Sequence, residues 1–259
     1  MRTVMWTPEA ALLPVAMAVA AGLVGSFTVM RRMTLASDAL SHVALPGIGL
    51  AIALHLNPVL GGLSALLLGT LIVWATERDT HLPTETVIGV VFSAALAIGS
   101  MLASGEELIE ALFGAPGAAG VAETVLGLAG SGLVIAYVFR ARSALIVAMV
   151  SPDLARTTGI AVDRLNFLFL LAFALTVALG LRYLGALLMG SLIIIPAATA
   201  KHLARSLRGM QTISVGIAVG ATIAGSLAAP VLHLDSGPLI ITIAAGVFFL
   251  SLLTRQVLE

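Results

Sequence analysis

The chain has 259 residues, 59% hydrophobic and 10% charged, with a mean hydropathy of +1.11 and a formal net charge of zero. Soluble domains carry about 25% charged residues, so this composition excludes one and marks an integral membrane protein, while zero net charge gives no bulk electrostatic argument for nucleic acid. The absence of cysteine excludes disulfides, thiolate metal sites and thiol catalysis.

Apolar stretches of about 17 to 22 residues, long enough to cross a hydrocarbon core of about 30 Å, tile nearly the whole sequence. They are too long and too uniformly apolar for barrel strands, and helices satisfy their own backbone groups in lipid. The expected fold is all-α: one polytopic membrane helical bundle over residues 1–259, with spans near 9–30, 39–56, 58–76, 86–104, 121–139, 164–181, 184–200, 211–231 and 237–254. Nine spans are expected, with eight to ten if a segment within 39–76 or 164–200 merges or breaks.

The first run, Pro8 to Met30, exceeds the roughly 7 to 15 residues of a signal-peptide core and reads as a span. Gly22 with Ser26, and later Gly216 with Gly220, have the small-xxx-small spacing that permits close helix approach. The nine methionines are scattered and read as packing residues.

The second span contains "LASDALSHVALPG", residues 35–47, which puts Asp38 and His42 four apart on one side of a helix. A carboxylate oxygen and an imidazole nitrogen that reach one point suit a borderline divalent cation such as zinc, manganese or iron(II). Pro46 has no N–H to donate to the carbonyl four residues earlier, that of His42, and a kink is expected there. Burying an aspartate at a helix centre in a membrane costs at least about 2.5–3.5 kcal/mol, which makes function the default explanation. Spacing alone leaves three readings: a cation site, a helix start with Ser37 or Asp38 as N-cap and a satisfied histidine, or a proton relay. Two side chains are too few for a structural zinc site, but incomplete coordination suits an ion that must leave again. Ser41 is a weak further ligand candidate, and His55 reads as an interfacial residue or a ligand at the outer mouth.

Between the fourth and fifth spans, a loop carrying Glu106, Glu107, Glu110 and Glu123 and no basic residue reads as solvated, with a docking surface or cation vestibule as the alternative. Further on, "SPDLARTTG", residues 151–159, offers Ser151 as N-cap, Pro152 at the first helical position, Asp153 in the first turn and Gly159 as terminator. It predicts a short helix over 152–158, either a handle for another protein or a stiff connector. Pro196, near the end of the seventh span, predicts a second kink by removing a donor to the Leu192 carbonyl, and Ala197 to Ala200 permit close packing.

With nine spans, Arg31, Arg32, Arg78, Arg140, Arg142, Arg156, Arg164, Lys201, Arg205, Arg208 and Arg255 fall on one face, and Arg2 and Arg182 on the other. The basic face is then cytoplasmic, the N-terminus outside and the C-terminus inside. No nucleotide-binding G-x-x-x-x-G-K-[ST], H-E-x-x-H or G-x-S-x-G motif occurs, so an ATP-driven process needs a separate motor chain.

Four blocks in order, "RRMTLASDALSHVALPGIGLA", "TETVIGVVFSAALAIGSML", "SPDLARTTGIAVDRLNFLFLLAFALTVAL" and "LGALLMGSLIIIPAATAKHLAR", resemble the membrane subunits of ATP-binding-cassette importers for zinc, manganese and iron(II). The resemblance implies a fold similar to the vitamin B12 and siderophore importer permeases, usually with one span fewer at the N-terminus. It also implies a non-catalytic homodimeric permease in the cytoplasmic membrane, two cytoplasmic ATPase subunits and an extracytoplasmic metal-binding protein. Asp38 and His42 match the family's metal-contacting pair, and Pro152, Asp153, Leu154, Ala155, Arg156 and Gly159 its coupling region. No permanently bound cofactor is implied; zinc or manganese, or iron(II), is the cargo. The outer loop departs from the family in "FGAPGAAG", which is short and rich in proline and glycine. The alternatives are a proton-coupled secondary metal transporter, in which Asp38 and His42 relay protons, and a permease for a chelated metal or cofactor, which needs no paired ligands.

Overall fold

Helices account for almost all of the computed structural model, which describes residues 8–80, 82–102, 120–181 and 184–256; within these, the side chains of residues 8–11, 35–38, 102, 185–187 and 254–256 are outside the description. The described residues form ten helices and no strand: α1 Pro8–Met30, α2 Thr34–Ala53, α3 Pro58–Thr80, α4 Thr84–Leu102, α5 Val121–Val150, α6 Pro152–Thr157, α7 Val162–Gly180, α8 Gly185–Leu203, α9 Leu207–Leu232 and α10 Ser236–Gln256. All but α6 are long. Seven are apolar over enough length to cross a membrane, and shorter apolar helical stretches, Ala39–Ala53 and Leu188–Leu203, lie in α2 and α8. The all-α bundle with nine long helices is what the apolar tiling required.

Two boundaries differ in ways that matter. The second span was expected from residue 39, but α2 begins at Thr34, with Met33 in the N-cap position and no side-chain cap. Ser37 and Asp38 are therefore the fourth and fifth residues of the helix, too far in to act as its N-cap. The fifth span was expected to end at 139, whereas α5 runs 30 residues to Val150, about 45 Å and well beyond a 30 Å core. Arg140 and Arg142 do not stop it because Leu145 and Ala148, beyond them, are buried in the core.

Turns are set by local hydrogen bonding. At the end of α1 the Met33 N–H donates to the Thr28 carbonyl at 3.0 Å and the Arg32 N–H to Val29 at 3.3 Å, with Arg32 left-handed at φ 60°. This pair of bonds is the Schellman termination. It recurs after α2, where Leu56 donates to Ala51 at 2.7 Å and His55 to Ile52 at 3.0 Å, with His55 at φ 56°. Asn57 then caps α3, its side-chain oxygen accepting from the Val59 N–H at 2.9 Å, and Pro58 takes the first helical position.

The pairing of helices divides the bundle. α2, α3 and α4 pack on one another, as do α8, α9 and α10, while α1 packs against α5, α8 and α9. α7 joins α3 to α5, and α2 also meets α8. Of the seven helices long enough to cross a membrane, α1 and α7 are the most buried, and they meet through Phe27 and Phe169, edge to face at 6.4 Å. Large apolar side chains such as Leu12, Leu68, Val90, Leu133 and Phe249 point outward on the perimeter, as a lipid-facing surface requires. Buried hydroxyls mostly bond back to their own helix: Thr28 to Val24, Thr176 to Ala172 and Thr222 to Ala218.

Small residues set the closest approaches. Gly22 lies against the backbone of Ser214 and Val215, and both Ser26 and Ser214 donate to its carbonyl at 2.8 Å. Gly216 and Gly220, expected to make such a face, do not: nothing lies within 4 Å of a Cβ built on either. The face of α9 that packs is Ser214, Ala218, Ala221, Thr222 and Gly225, because the helix is rotated to put these residues against α1 and α10. Ala197, Thr199 and Ala200 are fully buried, and Gly25 of α1 fits beside the Ile193 carbonyl and Ala197. Pro46 and Pro196 lie inside α2 and α8, which continue through them.

Candidate functional site

Asp38 and His42 lie on successive turns of α2, and the Asp38 side chain is outside the described residues. His42 is half-buried, and its ring packs against Phe92 of α4 with centroids 5.5 Å apart and a 50° tilt. His42 is the ninth residue of α2 and Phe92 the ninth of α4, which puts both about 12 Å along their helices. Asp38 is one turn nearer the basic end. Ser41 beside it is fully buried.

Tight backbone packing holds this part of α2. Gly47, just after Pro46, faces Gly61 of α3 so closely that a Cβ on either would overlap the other's carbonyl oxygen. On the neighbouring side, Gly99 of α4 fits against Leu45 and Pro46, and Gly69 of α3 against Val43. The segment carrying His42 is thus clasped between two helices with almost no slack. No group of three or more histidine, aspartate or glutamate side chains that could hold a metal ion occurs among the described residues.

His55 occupies the left-handed position that ends α2; its backbone closes the helix, whichever solvent its ring meets. Of the acidic loop, Glu106, Glu107 and Glu110 and the "FGAPGAAG" stretch are outside the described residues. Glu123 has a local task, accepting from the Gly120 N–H at 3.2 Å at the start of α5.

The short helix appears as α6. Ser151 accepts from the Leu154 N–H at 3.2 Å, Pro152 is at the first helical position, and Gly159 ends the unit at φ 82°. Thr158 donates to the Leu154 and Ala155 carbonyls at 3.0 and 2.9 Å, satisfying the last turn. Pro152, Asp153, Leu154 and Arg156 point to the surface, with Asp153 and Arg156 3.4 Å apart. Ala155 is fully buried and anchors the helix, so it offers no outward contact.

Beside α6 is a cleft of about 430 Å³ between the ends of α1, α3, α5 and the starts of α4 and α7, lined by Arg31, Arg32, Glu77, Glu85, Pro152 and Asn166 among others. Sequence reading treated Arg31 only as a topology charge, yet it is largely buried. It donates to the Asn166 side-chain oxygen at 3.1 Å, and its guanidinium is 4.4 Å from the centre of the Phe169 ring. Burial lowers its pKa, while Tyr137 and Glu77 act in the opposite direction. Trp74 was also missed: its indole N–H donates to the Asp163 carbonyl at 3.2 Å, and its ring lies 5.0 Å from that of Phe167.

The chain matches the family described as the ABC 3 transport family over residues 4–255. It is 31% identical to the high-affinity zinc uptake system membrane protein ZnuB of Haemophilus influenzae, over 90% of this chain and 91% of that one. It is 32% identical to the manganese import system permease protein ScaB of Streptococcus parasanguinis, over 93% of this chain and 88% of that protein. Among solved structures, it is similar to PsaBC of Streptococcus pneumoniae in complex with Fab, with a TM-score of 0.80, 26% identity, and coverage of 94% of this chain and 89% of that one. A family match over nearly the full length, together with a fold shared with PsaBC, makes this chain a member of the ABC 3 transport family.

Proposed function

We propose that this chain is the permease subunit of an ATP-driven importer for a divalent transition metal, zinc or manganese, with iron(II) as a third candidate. The observation that carries this reading is the full-length family match, whose relatives are named as zinc or manganese uptake proteins. The working unit is a homodimer in the cytoplasmic membrane, with the basic end of the bundle and the C-terminus in the cytoplasm. Two ATPase chains engage that end, and an extracytoplasmic metal-binding protein delivers the ion.

Asp38 and His42 hold the metal transiently, one oxygen and one nitrogen from each copy converging at the dimer axis. Such sparse ligation binds well enough to admit the ion and weakly enough to release it. ATP-driven closure of the ATPases moves α6 through Pro152, Asp153, Leu154 and Arg156, with Ala155 and Gly159 fixing its seat and its end. Pro46 and Pro196 weaken the helical ladder in α2 and α8 at points where the pathway must open and close.

The test is uptake into proteoliposomes that contain the permease with its ATPase and are supplied with the loaded delivery protein. Uptake of zinc or manganese that requires ATP and survives collapse of the proton gradient is expected. Uptake that persists without ATP and disappears with the gradient supports the proton-coupled alternative instead. Competition between the two metals in the same vesicles identifies the preferred cargo.

A further inference from the structure

The importer reading needs a physical connection between α6, which receives force, and α2, which carries the metal ligands. α6 packs on α5 and α7, whereas α2 packs mainly on α3 and α4 and only lightly on α7. Ala155 and Ile160 pack into the core and tie α6 to the start of α7, and the Ile160 N–H donates back to the Ala155 carbonyl at 2.9 Å. Movement of α6 is thus delivered first to the opening turns of α7.

Two side chains from outside α7 grip those turns. Trp74 at the end of α3 bonds to the Asp163 carbonyl and stacks near Phe167. Arg31, between α1 and α2, bonds to Asn166 at 3.1 Å and lies over Phe169 at 4.4 Å. These two contacts are one turn apart on α7, so the guanidinium spans a helical turn and follows its rotation. The next residue, Arg32, is in the left-handed conformation that reverses the chain, and α2 begins two residues later at Thr34. Asp38 is therefore only one turn into a helix whose start is held by Arg31.

We infer that Arg31 is a positioning residue that transmits displacement of α6 and α7 to the start of α2, and so to Asp38 and His42. The inference rests on the importer reading. Its chemistry suits a link that must reseat: planar, charged and held by one hydrogen bond and one ring face, with a buried Nε–H that has no partner in this conformation. Arg32 has the same charge but is exposed and makes no such bridge among the described residues.

The experiment measures metal uptake and ATP hydrolysis together in proteoliposomes carrying the permease, its ATPase and the loaded delivery protein. Arg31→Met is expected to keep hydrolysis within about twofold of wild type while ions moved per ATP fall about fivefold or more, the size of a typical coupling free energy. Arg31→Lys, which keeps a cation over the ring, recovers part of the ratio, and Arg32→Met leaves it unchanged. Asn166→Leu, which removes the hydrogen bond but leaves the ring contact, lowers the ratio less than Arg31→Met and decides the matter should Arg31→Met fail to accumulate. An unchanged ratio in both Arg31→Met and Asn166→Leu, or a proportional loss of hydrolysis and uptake, overturns the inference. Absence of ATP-dependent uptake in the wild-type complex instead overturns the importer reading beneath it.

Discussion

Gly47 of α2 and Gly61 of α3 cross with their backbones in contact, each occupying the space a Cβ on the other would need. The crossing is just over one turn beyond His42 and fixes the separation of the two helices there. Gly47→Val and Gly61→Val should each destabilise the bundle by about 1–3 kcal/mol through overpacking, and uptake should fall with them. Gly89→Ala is the control: a Cβ there meets nothing within 4 Å, and removing glycine from a helix interior should be neutral or stabilising by up to about 1 kcal/mol. Thermal unfolding in detergent micelles separates the two outcomes.

Ser214 of α9 donates to the Gly22 carbonyl of α1 at 2.8 Å, a hydrogen bond between distant helices in an apolar interior. Such bonds in membrane proteins are worth about 0.6 kcal/mol on average and at most about 1.7. Ser214→Ala should therefore cost little, whereas Ser214→Leu should be far more damaging, because Gly22 leaves no room for it. Unfolding of the two variants, measured side by side, checks the order.

His55 ends α2 in a left-handed conformation that glycine adopts without strain. His55→Gly should retain metal uptake and gain up to about 1 kcal/mol of stability, whereas His55→Val should lose stability. A loss of uptake in His55→Gly at normal protein levels gives the ring a role in the pathway that its backbone position does not require.

How far the sequence could be read varied with the kind of force involved. Apolar length placed nine long helices, because lipid requires every backbone group to be satisfied within the helix. It missed the start of α2 and the end of α5, where Schellman bonds and core contacts of Leu145, not hydropathy, set the boundary. Capping chemistry at Ser151, Pro152 and Gly159 was legible, since each acts on its own neighbours. The bridge from Arg31 to Asn166 was not, because it joins residues 135 apart and only tertiary packing brings them together. For the same reason Gly216 and Gly220 had the right spacing on the wrong face of α9.

The cap of α6 offers a graded perturbation of the coupling end. Ser151→Ala removes the acceptor for the Leu154 N–H and should cost about 1 kcal/mol of local helix stability. Hydrogen exchange over residues 152–157 should accelerate about fivefold to tenfold, while exchange in α1 and α9 is unchanged. Uniform acceleration throughout the chain indicates global destabilisation instead.

The central claim is that Asp38 and His42, one turn apart in the first half of α2, contact the permeating metal. The direct measurement is ATP-dependent uptake of radioactive zinc or manganese into vesicles containing Asp38→Ala or His42→Ala permease, matched to wild type in abundance and in ATPase assembly. Loss of uptake in each variant, with the ATPase still assembled and hydrolysing, is the predicted result; wild-type uptake in both would contradict the account.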